Sequence, residues 1–422
     1  MAERAPGVAV ETSRLDLWQA GFDAREAEVH AFVAEPGRCA RVRAAWGRPG
    51  PLAGCLLGVK DIFQVDGLPT RAGSRLPAAL LAGREGPCVG ALRAAGAVVA
   101  GKTATTEFAY FAPGPTRNPA HLDHTPGGSS SGSAAAVAAG LCDLALGTQT
   151  IGSIGRPAAY CGIVGFKPSY ERISRDGVIP LAPSADHVGL LAPDVAAVAR
   201  AAPVVIPDWR AVASPGAKPR LGIPVGPYLQ ALSPAGVEHF GRLRVALASA
   251  GYRLTEVDSM PDFPEIAERH RRLVAAEAAQ VHADWFAAWG ELYAPATAAL
   301  IERGREVPAA EAERSRATRL ELRARLDAAL AAHGLDLWLS PPATGPAPRG
   351  LESTGDPVFN LPWTHAGVPT LVIPAGRSAI RFGPALPMGA QLAARFGADE
   401  ELLAWGARLE PDLALLSMET AP

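Results

Sequence analysis

Two short stretches carry residue types suited to a nucleophilic site: Pro126–Ser133, reading PGGSSSGS, and Gly152–Gly155, reading GSIG. Serine hydroxyls beside the free backbone N–H groups of a Gly-rich turn can hold an anion and present a nucleophile. A Gly/Ser run is ordinarily a flexible linker. Here Ala134–Ala139 follows at once, with Val137, Leu141 and Leu144-Ala145-Leu146, which predicts a small-residue helix in the core and then a buried strand. A site built from two serine loops is the stronger reading. Serine also needs a group to take its proton. Lys60 follows Leu56-Leu57-Gly58-Val59, an apolar run that predicts a buried strand. A lone lysine is nearly always solvated, and sequence alone favours that for Lys60. Burial there would lower its pKa and make it a base.

Other motifs lead nowhere. Gly96–Thr103, GAVVAGKT, satisfies the phosphate-loop pattern letter for letter. Its four variable positions are Ala-Val-Val-Ala, which predict the strand itself, so no loop is left to cradle a phosphate. His121 and His124 sit in a loop context beside Asn118-Pro119 with no third ligand nearby, and read as ordinary loop histidines, not metal ligands. Trp285 and Trp289 share a helix face and read as core or interface. The five cysteines are scattered, odd in number and never C-x-x-C, as buried thiols in a reducing compartment would be.

The elements that must position these residues alternate. A helical pattern covers Arg14–Arg43, and helices are predicted near Cys88–Ala95 and over Pro193–Ala201. Ser174–Leu191 reads as strand, turn and loop, Val204–Lys218 as a connection, and Arg220–Tyr252 as a strand–helix unit. Pro264–His333 is the most helical and charged part, its run Glu311–Arg325 a solvated face. Leu335–Leu339 and the end of Gly355–Gly376 predict strands, and a last helix lies near Glu400–Glu410. Alternating strands and helices indicate α/β architecture with helices on both sheet faces. With 422 residues, 48% apolar and 19% charged, the chain is globular. A net charge of −2 points to neither nucleic acid nor acidic membrane. The N-terminus, MAERAPGVAVETSRLDLW, has no secretory pattern, and Ala134–Leu146 is too short and interrupted to span a bilayer. A soluble, cytoplasmic protein is expected.

Taken together, GVKD at Gly58–Asp61, PGGSSSGS at Pro126–Ser133 and GSIGRPAAYCGIVGFKP at Gly152–Pro168 resemble the amidase signature family. AVVAGKT, GVIPLAPS, FNLPWTHAGVP and LPMGAQLAARFG look like that family's recurrent segments too; the resemblance covers about Pro51–His187 and Gly355–Glu410 well and Pro207–Leu351 only loosely. It implies one domain over residues 1–422 with a central mixed, twisted sheet: a signature core near 51–191, a helical substrate-shaping region near 264–333 and a return to the sheet near 335–410. It also implies a Ser–Ser–Lys triad, with Ser153 as nucleophile, Ser129 as bridging hydroxyl and Lys60 as base. The Gly128–Ser129 peptide would be cis, Gly127 and Gly128 leaving room and Ser130 supporting. Backbone N–H groups of Thr150, Ile151, Gly152 and Ser153 would form the oxyanion hole. No metal or organic cofactor is implied.

Three departures from the commonest pattern stand out. Gln149 replaces an aspartate but can still orient the loop by hydrogen bonds. Ile151 replaces a small residue, narrows the pocket and would be strained at positive φ. Arg156 lies one place later than the usual arginine, and either binds a substrate carboxylate or makes a structural salt bridge. The resemblance thus implies a cytoplasmic amidase acting on a small-molecule amide through an acyl-enzyme, possible as a homodimer, on a substrate unlike that of better-known members. Two alternatives stand beside it. One is the A-type subunit of a glutamine-dependent tRNA amidotransferase, against which the short chain and the loose stretch count. The other is a catalytically silent binding protein, motivated by Ile151.

Overall fold

Leu56–Lys60 (β1), Val98–Thr103 (β2) and Leu144–Gln149 (β3) are buried at every position, as strands covered on both faces must be. The computed structural model describes the backbone of residues 6–418 and the side chains of 14–414, so the first five residues of the stretch read for a leader lie outside it. Val164–Lys167 (β4), His187–Ala192 (β5), Arg220–Pro224 (β6), Arg253–Val257 (β7), Leu337–Ser340 (β8), Thr370–Arg377 (β9) and Pro387–Ala393 (β10) complete a single sheet. Its order is β2-β1-β3-β5-β4-β9-β10-β8-β6-β7. β1 runs parallel to β2 and β3, and β6 to β7 and β8, while the remaining pairs are antiparallel. The chain is thus one large α/β domain on a mixed sheet.

Side chains that alternate along a strand enter different cores. Leu56, Val98, Ala100 and Ala145 pack with the helices Ser131–Ala138 and Gly155–Cys161. Leu57, Val59, Val99 and Leu146 face the helices Pro87–Ala94, Val195–Val205 and Asp399–Met418 on the other side. The Gly/Ser run is no linker. It enters a helix so closely packed that a Cβ on Gly132 would lie 2.1 Å from the Ala31 carbonyl oxygen, which is why small residues are required there.

Several expectations shift. Arg14–Arg43 is two helices, Pro6–Val29 and Arg38–Ala45. The Glu26 carboxylate takes the N–H groups of Ala31 and Phe32 (3.0 and 2.7 Å), which diverts them from helical carbonyls. The last helix runs much further than Glu410 and passes through Pro411. The charge run on helix Ala309–Ala332 is not wholly solvated: Arg319 is buried, its guanidinium 4.4 Å from the Tyr170 ring centroid. β10, MGAQLA at its centre, was illegible because Gly and Gln break its apolar pattern, yet Gln391 is fully buried and donates to Ser340 Oγ. Among the described residues no helix is long and apolar enough to cross a membrane.

Candidate functional site

Lys60 ends β1 and is completely buried. Its Nζ lies 2.7 Å from Ser129 Oγ and 2.8 Å from Thr148 Oγ1. Burial pushes the amine well below the usual lysine pKa, against an opposing pull from the Asp186 carboxylate. The solvated reading of Lys60 is therefore wrong: both faces of β1 are covered, and its end runs into the serine loop.

That loop is held on every side. The Gly128–Ser129 peptide is cis. Gly127 has φ +82°, and a Cβ there would sit 2.9 Å from Pro157 Cα. Ser131 Oγ donates to the Gly127 carbonyl (2.8 Å), and Thr105 Oγ1 to that of Ser129 (3.1 Å). Ser130 joins the loop to β3 by donating to the Thr148 carbonyl and accepting from the Thr148 N–H.

Ser153 lies in the turn after β3. It shares with Ser129, Thr150, Ile151, Gly152 and Arg156 a chamber of about 10 Å³, room for about one water-sized group. Each carbonyl of the turn is occupied. Thr150 O accepts from His270 Nε2 (2.9 Å), Ile151 O from Thr364 Oγ1 (2.8 Å), Gly152 O from Arg156 N (3.0 Å) and Ser153 O from Ser130 N (3.4 Å). The N–H groups of Ile151, Gly152 and Ser153, by contrast, donate to no other protein group among the described residues. Gly152 is obligatory, since a Cβ would come within 2.4 Å of Asn360 Oδ1.

Gln149 orients the turn, as its hydrogen-bonding capacity suggested. Its Oε1 accepts from Ile154 N and Gly155 N (2.9 and 3.0 Å), and its Nε2 donates to Thr364 Oγ1 (2.8 Å). Ile151 is not among the residues at positive φ, so the strain expected of a β-branched residue there is absent. Its side chain packs with Phe359 and Leu361 and forms part of the wall of both the chamber and an outer pocket of about 500 Å³. Arg156 is buried against the chamber, where its Nη2 donates to the Gly128 carbonyl (2.7 Å) and Thr354 Oγ1 (3.0 Å). Of its two expected roles, the structural salt bridge is not found among the described residues: Nε and Nη1 have no partner, and burial brings the guanidinium down to about 10.

Sequence reasoning missed four residues at this site. Thr148 is a polar residue inside an apolar strand, a signal that was available. Asp186, His270 and Thr364 gave none, because only the fold brings them here. Asp186 accepts from Thr150 Oγ1 (2.5 Å) and from Leu181 N and Ala182 N. Burial raises its carboxyl to about 6 despite these bonds. His121 and His124 lie outside the site and pack edge to face, with His124 Nδ1 2.8 Å from the Ala347 carbonyl. Lys102 lies within β2 and pairs with Asp61 at 2.8 Å, as part of a strand and not of a phosphate loop.

A sequence profile described as Amidase matches residues 38–403. The A-type subunit of glutamyl-tRNA(Gln) amidotransferase from Geobacter sp. (strain M21) is 32% identical over 460 aligned positions, covering 94% of this chain and 93% of that one. Its counterpart from Salinibacter ruber is 40% identical over 231 positions, which are 48% of this chain and 45% of that protein. Among solved structures, an amidase superposes with a TM-score of 0.82 at 31% identity over 94% of this chain and 95% of its own. The peptide amidase of Stenotrophomonas maltophilia gives 0.75 at 26%, covering 95% and 93%.

Proposed function

The chain belongs to the amidase family and acts on amide C–N bonds, and from that premise we propose that Ser153 is its nucleophile, Ser129 the relay and Lys60 the base. Ser153 Oγ attacks the amide carbon while its proton passes through the Ser129 hydroxyl to the neutral Lys60 amine. The oxyanion is received by backbone N–H groups of the 150–153 turn, with Thr150 at its entry. The proton then returns through Ser129 to the leaving nitrogen, the C–N bond breaks, and water releases the acid from the acyl-enzyme by the same relay. The observation that carries this reading is a fully buried lysine whose partners are hydroxyls, one of them on a serine that shares a chamber with Ser153.

For the substrate, the curated relatives support the reading as an amidotransferase A-type subunit, which frees ammonia from glutamine for a partner subunit. This outranks the free-standing amidase that the sequence favoured. The short chain no longer counts against it, since the alignment with the Geobacter protein spans 93% of that protein. A second reading, a free-standing amidase for small amides, is supported by the narrow chamber beside Ile151 and by the solved amidases. The silent-scaffold alternative loses its ground with Ile151 outside the positive-φ region. In either role the presence of Arg156 in the chamber lining, with Nε and Nη1 unpartnered, supports it as a contact for an oxygen-rich group of the substrate. Five free cysteines agree with a cytoplasmic setting.

Ser153→Ala is expected to abolish ammonia release and stoichiometric fluorophosphonate labelling, with the fold intact by circular dichroism. Turnover retained in that variant would overturn the nucleophile assignment. Affinity capture from the native host separates the two roles. Glutaminase activity that requires co-purified subunits supports the amidotransferase. Hydrolysis of small amides by the isolated chain, with no glutaminase in any assembly, supports the second.

A further inference from the structure

The turn that receives the oxyanion is gripped from behind by groups the proposed reaction does not use. In a planar peptide the C=O of one residue and the N–H of the next point in opposite directions. A donor fixed on the Thr150 carbonyl therefore aims the Ile151 N–H, and one on the Ile151 carbonyl aims the Gly152 N–H. Those donors are His270 Nε2 (2.9 Å), from helix Phe263–Val281, and Thr364 Oγ1 (2.8 Å), from helix Leu361–Ala366. His270 is itself backed by His365, with the two Nδ1 atoms 3.2 Å apart, and His365 Nε2 lies 3.0 Å from Thr318 Oγ1. All three of His270, His365 and Thr364 are fully or almost fully buried.

We propose that His270, held in one tautomer by His365 and Thr318, is a positioning residue that with Thr364 presets the oxyanion-binding N–H groups of Ile151 and Gly152. The proposal rests on the reading of Ser153 as nucleophile and of this turn as its oxyanion hole. The proton arrangement follows from the partners. A carbonyl only accepts, so His270 carries its proton on Nε2. A neutral His270 then offers a lone pair at Nδ1, and His365 must donate from its own Nδ1, since two lone pairs facing each other in the core would leave both unsatisfied. His365 Nε2 is thereby an acceptor, and the Thr318 hydroxyl must give it a proton that otherwise goes to the Ser315 carbonyl 2.8 Å away. The groups around the dyad favour the uncharged rings. Burial, above all, and the Arg319 guanidinium hold both histidines down, with Arg271 adding to the effect on His270, which falls to about 3, and His270 and Arg269 to that on His365. The result is a one-way chain of donors from Thr318 through His365 and His270 to Thr150, and it opposes a flip of the Thr150–Ile151 peptide.

The test compares His270→Phe, which fills the space without a donor, with His270→Gln, which restores an N–H. In whichever assembly shows amide turnover, His270→Phe should lower kcat about 10- to 100-fold with KM changed less than about threefold, because an N–H aimed at the oxyanion acts only in the transition state. His270→Gln should recover most of that loss. Thr318→Val, isosteric and remote from the chamber, should lower kcat in the same direction by a few-fold while the fold is retained by circular dichroism, the unpaired His365 Nε2 lowering the melting temperature by only a few degrees, so the proposal stays testable if the Phe variant folds poorly. Long-range ¹⁵N–¹H spectra of the histidines should show the Nε2–H tautomer at His270 and Nδ1–H at His365. Unchanged kcat in His270→Phe or Thr318→Val, or reversed tautomers, would overturn the proposal. Ser153→Ala, run alongside, keeps the two levels apart: loss of turnover there with unchanged kcat in the histidine variants refutes the positioning role alone, whereas retained turnover refutes the underlying reaction.

Discussion

Replacing Lys60 by methionine separates catalysis from stability and fixes the sign of each. Methionine matches the length of the lysine stem but cannot take a proton, so Lys60→Met should lose about 10²–10⁴-fold in turnover, the usual worth of a positioned base. The effect on stability follows from linkage. An unfolded lysine titrates near about 10.4, whereas burial holds Lys60 well below that in the native state. Between the two values the unfolded chain binds one more proton at this residue than the folded chain. Native stability from Lys60 is therefore present above the unfolded pKa and is lost as pH falls toward the native one, at a slope approaching about 1.4 kcal/mol per pH unit. The variant lacks this term. Lys102 and Lys167 are also buried with lowered values, but both proteins carry them, so they cancel in the difference. Urea unfolding of the two proteins at pH 8, 9 and 10 should thus show the variant gaining on the wild type by roughly that slope as pH is lowered. Parallel stability curves would mean that Lys60 keeps its proton in the fold, and the general-base assignment would fall with them.

Two further outcomes follow from the same site. Ile151→Gly removes one of the four side chains, with Tyr110, Phe111 and Pro357, that line both the chamber and the outer pocket. It should raise kcat/KM for bulky amides at least tenfold relative to acetamide, at a stability cost of about 2–5 kcal/mol for the emptied space; an unchanged ranking across a panel of amides would show that Ile151 does not limit size. Asp186, raised to about 6 by burial, binds a proton in the fold before it would in the unfolded chain. Its contribution to stability is present below the unfolded pKa and is lost as pH rises through about 6, so Asp186→Asn should flatten that part of the pH–stability curve, and a curve of unchanged shape would refute the shift.

The serine loops were legible because their chemistry is local: glycines at fixed places, hydroxyls beside them and a small-residue helix directly behind. Strands β1 to β3 were legible for a similar reason, being apolar runs of the right length. Lys60 was not, since whether a residue at a strand end reaches water depends on what covers the sheet, and here the cover comes from Ser129 and Thr148. Asp186, His270 and Thr364 were invisible because each acts on the 150–153 turn from a distant segment, and no spacing rule links such positions. The resemblance supplied the triad but said nothing of the groups that hold its backbone still.

The two lysines on neighbouring strands show how the fold assigns chemistry to one residue type. β1 and β2 pair in parallel, with Lys102 opposite Val59 and Thr103 opposite Lys60, and both lysines are buried. Desolvation penalises the charged form of each. The difference lies in what each amine meets. Lys102 faces the Asp61 carboxylate at 2.8 Å and donates to Thr70 Oγ1 (2.9 Å). The carboxylate pulls it back toward the ammonium form, and the pair ties the end of β1 to β2. Lys60 hydrogen-bonds only hydroxyls, and the one carboxylate that pulls it toward the ammonium form, Asp186, makes no ion pair with it, so burial prevails and favours the neutral amine. Exchanging the carboxylate between the two amines, by Asp61→Asn together with Thr148→Asp at the hydroxyl that meets Lys60 Nζ, would give Lys60 an ion-pair partner and cost it its basic lone pair at neutral pH. The lysine that satisfies a phosphate-loop pattern is in this way a strut, and the proposed base is the one whose amine has no carboxylate to pair with.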